Sequence, residues 1–346
     1  MGPSTSRVRR PIARRRGPSK GLPVRSLASR SSTRWSPFAS PQNWRRRLRA
    51  PAAWRQVQRP DGGVLEVLAD SSGHYPLVFH WGTPGAAVWF EPLATAAART
   101  GLRLVMYSRP GYAGSTPRPG RSVADAAADV ATVLDALGAN TFVTMGWSGG
   151  GPHALACAAL LPDRCVAATS LAGAAPYPAD GLDWLAGMGA ENIEEFSAAL
   201  AGESVLTAVL ERMAKDLVGV RGSDVAAALG GLVSDVDNRA LTGEFADTLA
   251  DVFRRSVSSG IAGWRDDDLA LTRSWGFDLD AIRCPVAVWQ GGQDRMVPFS
   301  HGQWLAAHIR TARAHLSPDE GHLSLAVASL DRIVADLAQL RSEARV

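Results

Sequence analysis

Ser148 sits at the centre of Gly146-Trp147-Ser148-Gly149-Gly150, and the residues around it make it a candidate nucleophile. An apolar run, 142–145, precedes the pentapeptide, and a helical run of small residues, 152–161, follows it. A strand that turns sharply into a helix holds the central residue in a strained backbone conformation. It needs glycine at the flanking positions, where a Cβ would clash. The turn raises the serine oxygen above the C-terminal edge of a sheet. It also aims the free N–H groups of the helix start at any oxyanion that forms there. The pentapeptide by itself is a weak signal. Acyl transfer also requires a base to take the serine proton and an acid to orient that base.

Both are supplied downstream. The run 286–290 reads as a buried strand, and Gly291-Gly292-Gln293-Asp294 follows as its loop, which makes Asp294 the candidate acid. Asp319-Glu320-Gly321-His322 presents the candidate base just ahead of a helical pattern. There Leu323, Val327, Leu330, Val334 and Leu337 recur at the spacing of one long amphipathic helix. Six other histidines compete with His322. His74 and His80 precede Ser148, and His153, His301 and His308 fall within helical patterns. His315 is the best rival, but it lies near a strand end without a glycine loop.

With serine, acid and base in this order, the chain resembles the α/β-hydrolase superfamily, in its esterase and proline-iminopeptidase-like branch. Four stretches carry the resemblance: His80-Trp81-Gly82-Thr83-Pro84-Gly85, Ser108-Arg109-Pro110-Gly111-Tyr112-Ala113-Gly114-Ser115, the turn at Ser148, and the loops of Asp294 and His322. Two positions depart from the family pattern. Trp81 stands where a histidine is usual, and Ser108 stands where aspartate is frequent. The resemblance implies catalysis by Ser148, Asp294 and His322, with the backbone N–H groups of Thr83 and Gly149 as the oxyanion hole. It implies that the loop around Arg109 is structural support. It also implies no metal and no organic cofactor. Serine at residue 148 separates the chain from those members that place aspartate there and form an alkyl-enzyme ester.

These residues need a scaffold that brings strand ends together. Strand-like runs at 64–68, 77–80, 103–107, 142–145, 166–171, 286–290 and 313–316 alternate with helical patterns. Ser122 and Asp125 mark one helix start, and Gly138 marks its end. The alternation predicts an α/β fold, a mostly parallel sheet with helices on both faces, in which ligands bind at the carboxyl ends of the strands. Between residues 174 and 280 only helical patterns occur. This reads as an all-helical cap inserted into a core of residues 56–173 and 281–346.

Charge divides the chain. Residues 1–55 hold 14 Arg, one Lys and no acid, so 22 basic and 33 acidic residues remain in 56–346, a net charge of −11. The basic stretch is rich in Ser and Pro and reads as a disordered extension. That reading is favoured over a nucleic-acid or membrane tether or a transit peptide, so neither nucleic acid nor membrane is expected as a partner, and no run is long and apolar enough to span a membrane. Cys157, Cys165 and Cys284 lack metal-site spacing and read as free thiols of a cytoplasmic protein. Asp266-Asp267-Asp268 reads as a solvated run, because three adjacent carboxylates cannot all face one ion on a regular element. Trp81 and Trp147 are candidates for the wall of an apolar pocket.

Together these features point to hydrolysis of a small carboxylic ester or amide. The alternatives that remain are an aminopeptidase with acidic cap residues aimed at a substrate amine, lyase or perhydrolase chemistry on the same triad, and a ligand-binding protein on the same fold.

Overall fold

The computed structural model describes residues 1–2, 52–72 and 74–344. The expectation for residues 1–55 therefore lies largely outside the described residues. The described chain runs β1 (Ala53–Gln58), β2 (Val64–Ala69), β3 (Tyr75–His80), α1 (Glu91–Arg99), β4 (Leu102–Tyr107), α2 (Asp125–Ala136), β5 (Phe142–Trp147), α3 (Gly150–Leu160) and β6 (Cys165–Leu171). Six helices follow without a strand: α4 (Ala190–Ala201), α5 (Glu203–Leu217), α6 (Val225–Leu229), α7 (Asp235–Ala240), α8 (Gly243–Ser256) and α9 (Ala262–Leu271). The chain then returns to the sheet with β7 (Val286–Gly291), α10 (Phe299–His308), β8 (Ala312–Ser317), α11 (His322–Ala328) and α12 (Leu330–Glu343).

The eight strands form one sheet in the order β1-β2-β4-β3-β5-β6-β7-β8. β2 is antiparallel to both β1 and β4, and every pairing from β4 through β8 is parallel. The predicted α/β fold is therefore present. Side-chain alternation explains why both faces are covered. Phe79, Met106, Met145 and Trp289 point to one face with α1 and α12. Val78, Val105, Phe142 and Val288 point to the other, with α2, α3 and α10. Each such side chain contributes roughly 1.5–3 kcal/mol when fully buried, which ties the strand register to the core.

Three expectations need correction. Residues 53–55 belong to the sheet, because β1 pairs with β2 from Ala53 onward. Its residues are exposed except Val57, so no apolar alternation marked the strand. The helix after His322 is two helices, α11 and α12, that break at Ser329. Val327, placed on the buried face of a single helix, is 42% exposed, whereas Leu323, Val334 and Leu337 are buried. Asp266, Asp267 and Asp268 are not solvated: all three are buried on α9. Asp266 pairs with Arg265, Asp267 pairs with Arg109 and Arg121, and Asp268 is buried beside Glu195.

Candidate active site

The turn at Ser148 follows from its glycines. Ser148 has φ +57° and donates its N–H to the Leu171 carbonyl at 2.9 Å. A Cβ on Gly146 would strike the Gly150 carbonyl oxygen, and one on Gly150 would strike the His80 carbonyl oxygen. Both obstacles are backbone and cannot move aside, so β5 passes into α3 this tightly only with glycine at both positions. The loop after β3 lies directly on Ser148, and a Cβ on Gly82 would come within 3.0 Å of the Ser148 Cβ. Gly149 faces Thr83 just as closely, a Cβ there lying 3.3 Å from the Thr83 nitrogen. Among the described residues, neither of these two backbone N–H groups is engaged in a hydrogen bond.

His322 and Asp294 come together from the loops after β8 and β7. The His322 Nδ1–H donates to Asp294 Oδ2 at 2.7 Å. Asp294 is held in turn. Its Oδ1 accepts the N–H groups of Met296 and Val297, each at 2.8 Å, and its Oδ2 also accepts Gln290 Nε2 at 3.0 Å. Burial disfavours a charge on the His322 ring, but the adjacent Asp294 carboxylate outweighs it, with a further contribution from Asp237. Its pKa is accordingly raised. The Trp147 ring stacks on the imidazole with centroids 5.8 Å apart.

Ser148, His322, Trp81, Trp147 and Thr83 line one cavity of about 250 Å³. The opposite wall comes from the helical insertion, with Glu191, Asn192, Glu195, Met213, Leu249 and Phe253 among its residues. Trp81 and Trp147 both line this cavity beside Ser148. The competing histidines are engaged elsewhere. His315 stacks on Trp289 and faces Asp336 at 3.1 Å. His301 is bonded to the backbone of Ala175 and Trp184. His153 is buried against the Gly149 carbonyl, and its pKa is pushed down to about 3, first by burial and then by Arg109.

Sequence reasoning missed the buried ion cluster behind this site. Asp267 is fully buried, and its carboxylate accepts from Arg109 at 2.5 Å, Arg121 at 2.6 Å, the Tyr112 hydroxyl at 2.7 Å and the Thr83 hydroxyl at 3.1 Å. Burial works against its charge, but the two guanidinium groups prevail and hold its pKa below the usual carboxylate range. Arg109 spends its other N–H groups on the Trp81 and Gly82 carbonyls, each at 2.7 Å. The carboxylate of α9 therefore fixes the loop that carries the Thr83 N–H. This agrees with the reading of Arg109 as structural support.

Asp268 solves the same problem of burial differently. It faces Glu195, which accepts from Trp264 Nε1 at 2.7 Å. Burial pushes the Glu195 pKa up to about 7, and burial with the adjacent Glu195 carboxylate raises that of Asp268, so charge is disfavoured on this pair where the guanidinium groups sustain it on Asp267. No local sequence signal marked either acid as buried, because the partners lie on different helices, α4 and α9.

Residues 75–328 match the model of the alpha/beta hydrolase fold family, and the chain belongs to that family. It is 27% identical over 269 residues to the uncharacterized hydrolase YcgS of Bacillus subtilis (strain 168), a match covering 76% of this chain and 89% of that protein. An alpha/beta hydrolase fold protein from Nakamurella multipartita is 27% identical with a TM-score of 0.56, over 84% of this chain and all of that one. The esterase RhEst1 from Rhodococcus sp. ECU1013 superposes with a TM-score of 0.57 at 21% identity, over 84% of this chain and 98% of that one. The protein is a hydrolase of this family. No helix among the described residues is long and apolar enough to cross a membrane.

Proposed function

We propose that this protein is a serine hydrolase that cleaves a small carboxylic ester through an acyl-enzyme on Ser148. The observation that carries the reading is the 2.7 Å bond from His322 Nδ1 to Asp294, with His322 and Ser148 lining one cavity. The bond fixes the imidazole tautomer, leaving Nε2 unprotonated to act as base. Ser148 Oγ attacks the ester carbonyl as its proton passes to His322 Nε2. Asp294 stabilises the imidazolium. The N–H groups of Thr83 and Gly149 receive the oxyanion, and each such donor is typically worth about 10²–10³ in rate. The leaving alkoxide departs as the alcohol with the proton from His322. Water then attacks the acyl-enzyme, with His322 again as base, and releases the acid and free Ser148. A cavity of about 250 Å³ suits a small acyl group.

An amide or ester bearing an amine is the second reading. Glu191, Glu194, Glu195 and Asp216 all line the cavity, with Arg212 as the one cationic side chain among its lining residues. Arg212 is engaged by Glu194 at 2.6 Å. The test of both readings is labelling with a fluorophosphonate, followed by turnover of p-nitrophenyl esters and aminoacyl p-nitroanilides. The expected result is one adduct, on Ser148, with faster turnover of the uncharged esters. Ser148→Ala is expected to lose both adduct and turnover while keeping its fold. An adduct elsewhere, or turnover retained in Ser148→Ala, would refute the mechanism. Preference for the aminoacyl substrates would favour the second reading.

A further inference from the structure

The helix that begins with His322 is capped by a residue from far away in the sequence. The first four N–H groups of any helix lack partners within it. In α11, three of them are satisfied by the Asp237 carboxylate from α7 of the helical insertion. Asp237 Oδ1 accepts the N–H groups of Leu323 and Ser324, each at 2.8 Å, and Oδ2 accepts that of His322 at 3.1 Å. Oδ2 also accepts the Ser234 hydroxyl at 2.8 Å. Asp237 and Ser234 are both buried. Gly321 leaves the room for this approach, since a Cβ there would strike both oxygens of Asp237.

One part of this arrangement serves α7 alone, because Ser234 caps that helix by accepting the Asp237 N–H at 3.4 Å. A local cap would need only that bond. The Asp237 carboxylate instead uses both oxygens on the backbone from which the His322 side chain projects. The imidazole is tied at its ring to Asp294 and at its main chain to Asp237.

We propose that Asp237 is a positioning residue for His322, so that the base is aligned only while the helical insertion is seated on the loop after β8. This rests on His322 being the base of the reaction proposed above. The carboxylates acting on the His322 ring are Asp294, from the loop after β7, and Asp237, from the insertion. Asp237 favours the protonated ring, both by its charge and by offsetting the positive end of α11.

The test is the rate of fluorophosphonate labelling of the full-length protein against pH, from about 5 to 9, for wild type, Asp237→Asn and Ser234→Ala. Thermal melts would be recorded alongside. Asp237→Asn is expected to label on the order of 10–100-fold more slowly on the pH plateau, as misplaced catalytic groups do. Its ascending limb is expected to move to lower pH, because the imidazolium loses a favourable charge. Ser234→Ala should move both quantities in the same direction by less. A purely structural role would lower the melting temperature and leave the limb in place, which overturns the proposal. If Asp237→Asn does not fold, an unmoved limb and rate in Ser234→Ala overturn it equally. Absence of labelling at Ser148 in wild type would instead sink the acyl-transfer reading, and the role of Asp237 with it. Labelling of wild type with unchanged variants refutes only the role of Asp237.

Discussion

Replacing Asp267 by Asn tests the electrostatic account of the loop that carries Thr83. The Asp267 side chain is 0% exposed, and the Arg109 and Arg121 side chains beside it are each 2% exposed. Asn keeps the shape, and its oxygen still accepts from Tyr112 and Thr83, but two buried guanidinium groups lose their counter-charge. Removing one partner of a buried ion pair costs about 3–5 kcal/mol, and the retained hydrogen bonds place this case near 3. At about 2 °C per kcal/mol for a chain of this size, the melting temperature should fall by roughly 6 °C. A denaturant titration should show a lower midpoint at unchanged slope. Fluorophosphonate labelling should slow by about tenfold, because Arg109 also holds the Trp81 and Gly82 carbonyls. Asp268→Asn is the control. Burial beside Glu195 disfavours a charge on Asp268, and an amide keeps the shape without the charge, so the expected cost is under about 1 kcal/mol. Equal costs for the two adjacent substitutions, or a cost below about 1 kcal/mol for Asp267→Asn, would refute the reasoning.

Two further outcomes follow. Asp294→Asn should lower the labelling rate of Ser148 by about 10⁴-fold with little change in fold, since the imidazole would take the wrong tautomer. A rate within tenfold of wild type would exclude Asp294 as its partner. His301→Gln addresses pH. Burial pushes the His301 pKa down to about 4 from 6.5, so the folded state binds fewer protons than the unfolded state between these values. Wild type should therefore lose stability relative to the variant as pH falls from 6.5 toward 4, and denaturant midpoints at pH 7 and 5 would measure it. A pH-independent difference would show that His301 titrates normally in the folded protein.

The sheet was legible because its strands are buried on both faces, and such strands read as short apolar runs between glycine-rich loops. β1 escaped because only Val57 of its six residues is buried. The turn at Ser148 was legible because its glycines answer a local backbone clash. The loops of Asp294 and His322 were legible because each follows a strand or precedes a helix that is itself visible. The supporting carboxylates were not. Asp267 meets Arg109 across 158 residues, and Asp237 meets the His322 N–H across 85. Nothing local to Asp266-Asp267-Asp268 distinguishes a satisfied buried acid from a solvated one. The start of the short α7 does carry a local signal, the capping pattern Ser234-x-x-Asp237.

The positions of those distant partners are not scattered. At least one side chain from the helical insertion reaches each of the three loops that converge on Ser148. Asn192 on α4 donates to the Met296 carbonyl at 2.9 Å, in the loop of Asp294. Asp237 on α7 accepts the N–H groups at the start of α11. Asp267 on α9 binds Thr83 and Arg109, in and beneath the loop after β3. Displacing the insertion as a body would exchange these bonds for bonds to water, at a net loss of about 0.5–1.5 kcal/mol each. On the proposed reaction, an insertion bonded in this way belongs to the framework that positions the reacting groups as well as to the wall of the cavity. Substitutions on its inner face should therefore alter the reactivity of Ser148 even where they touch no substrate.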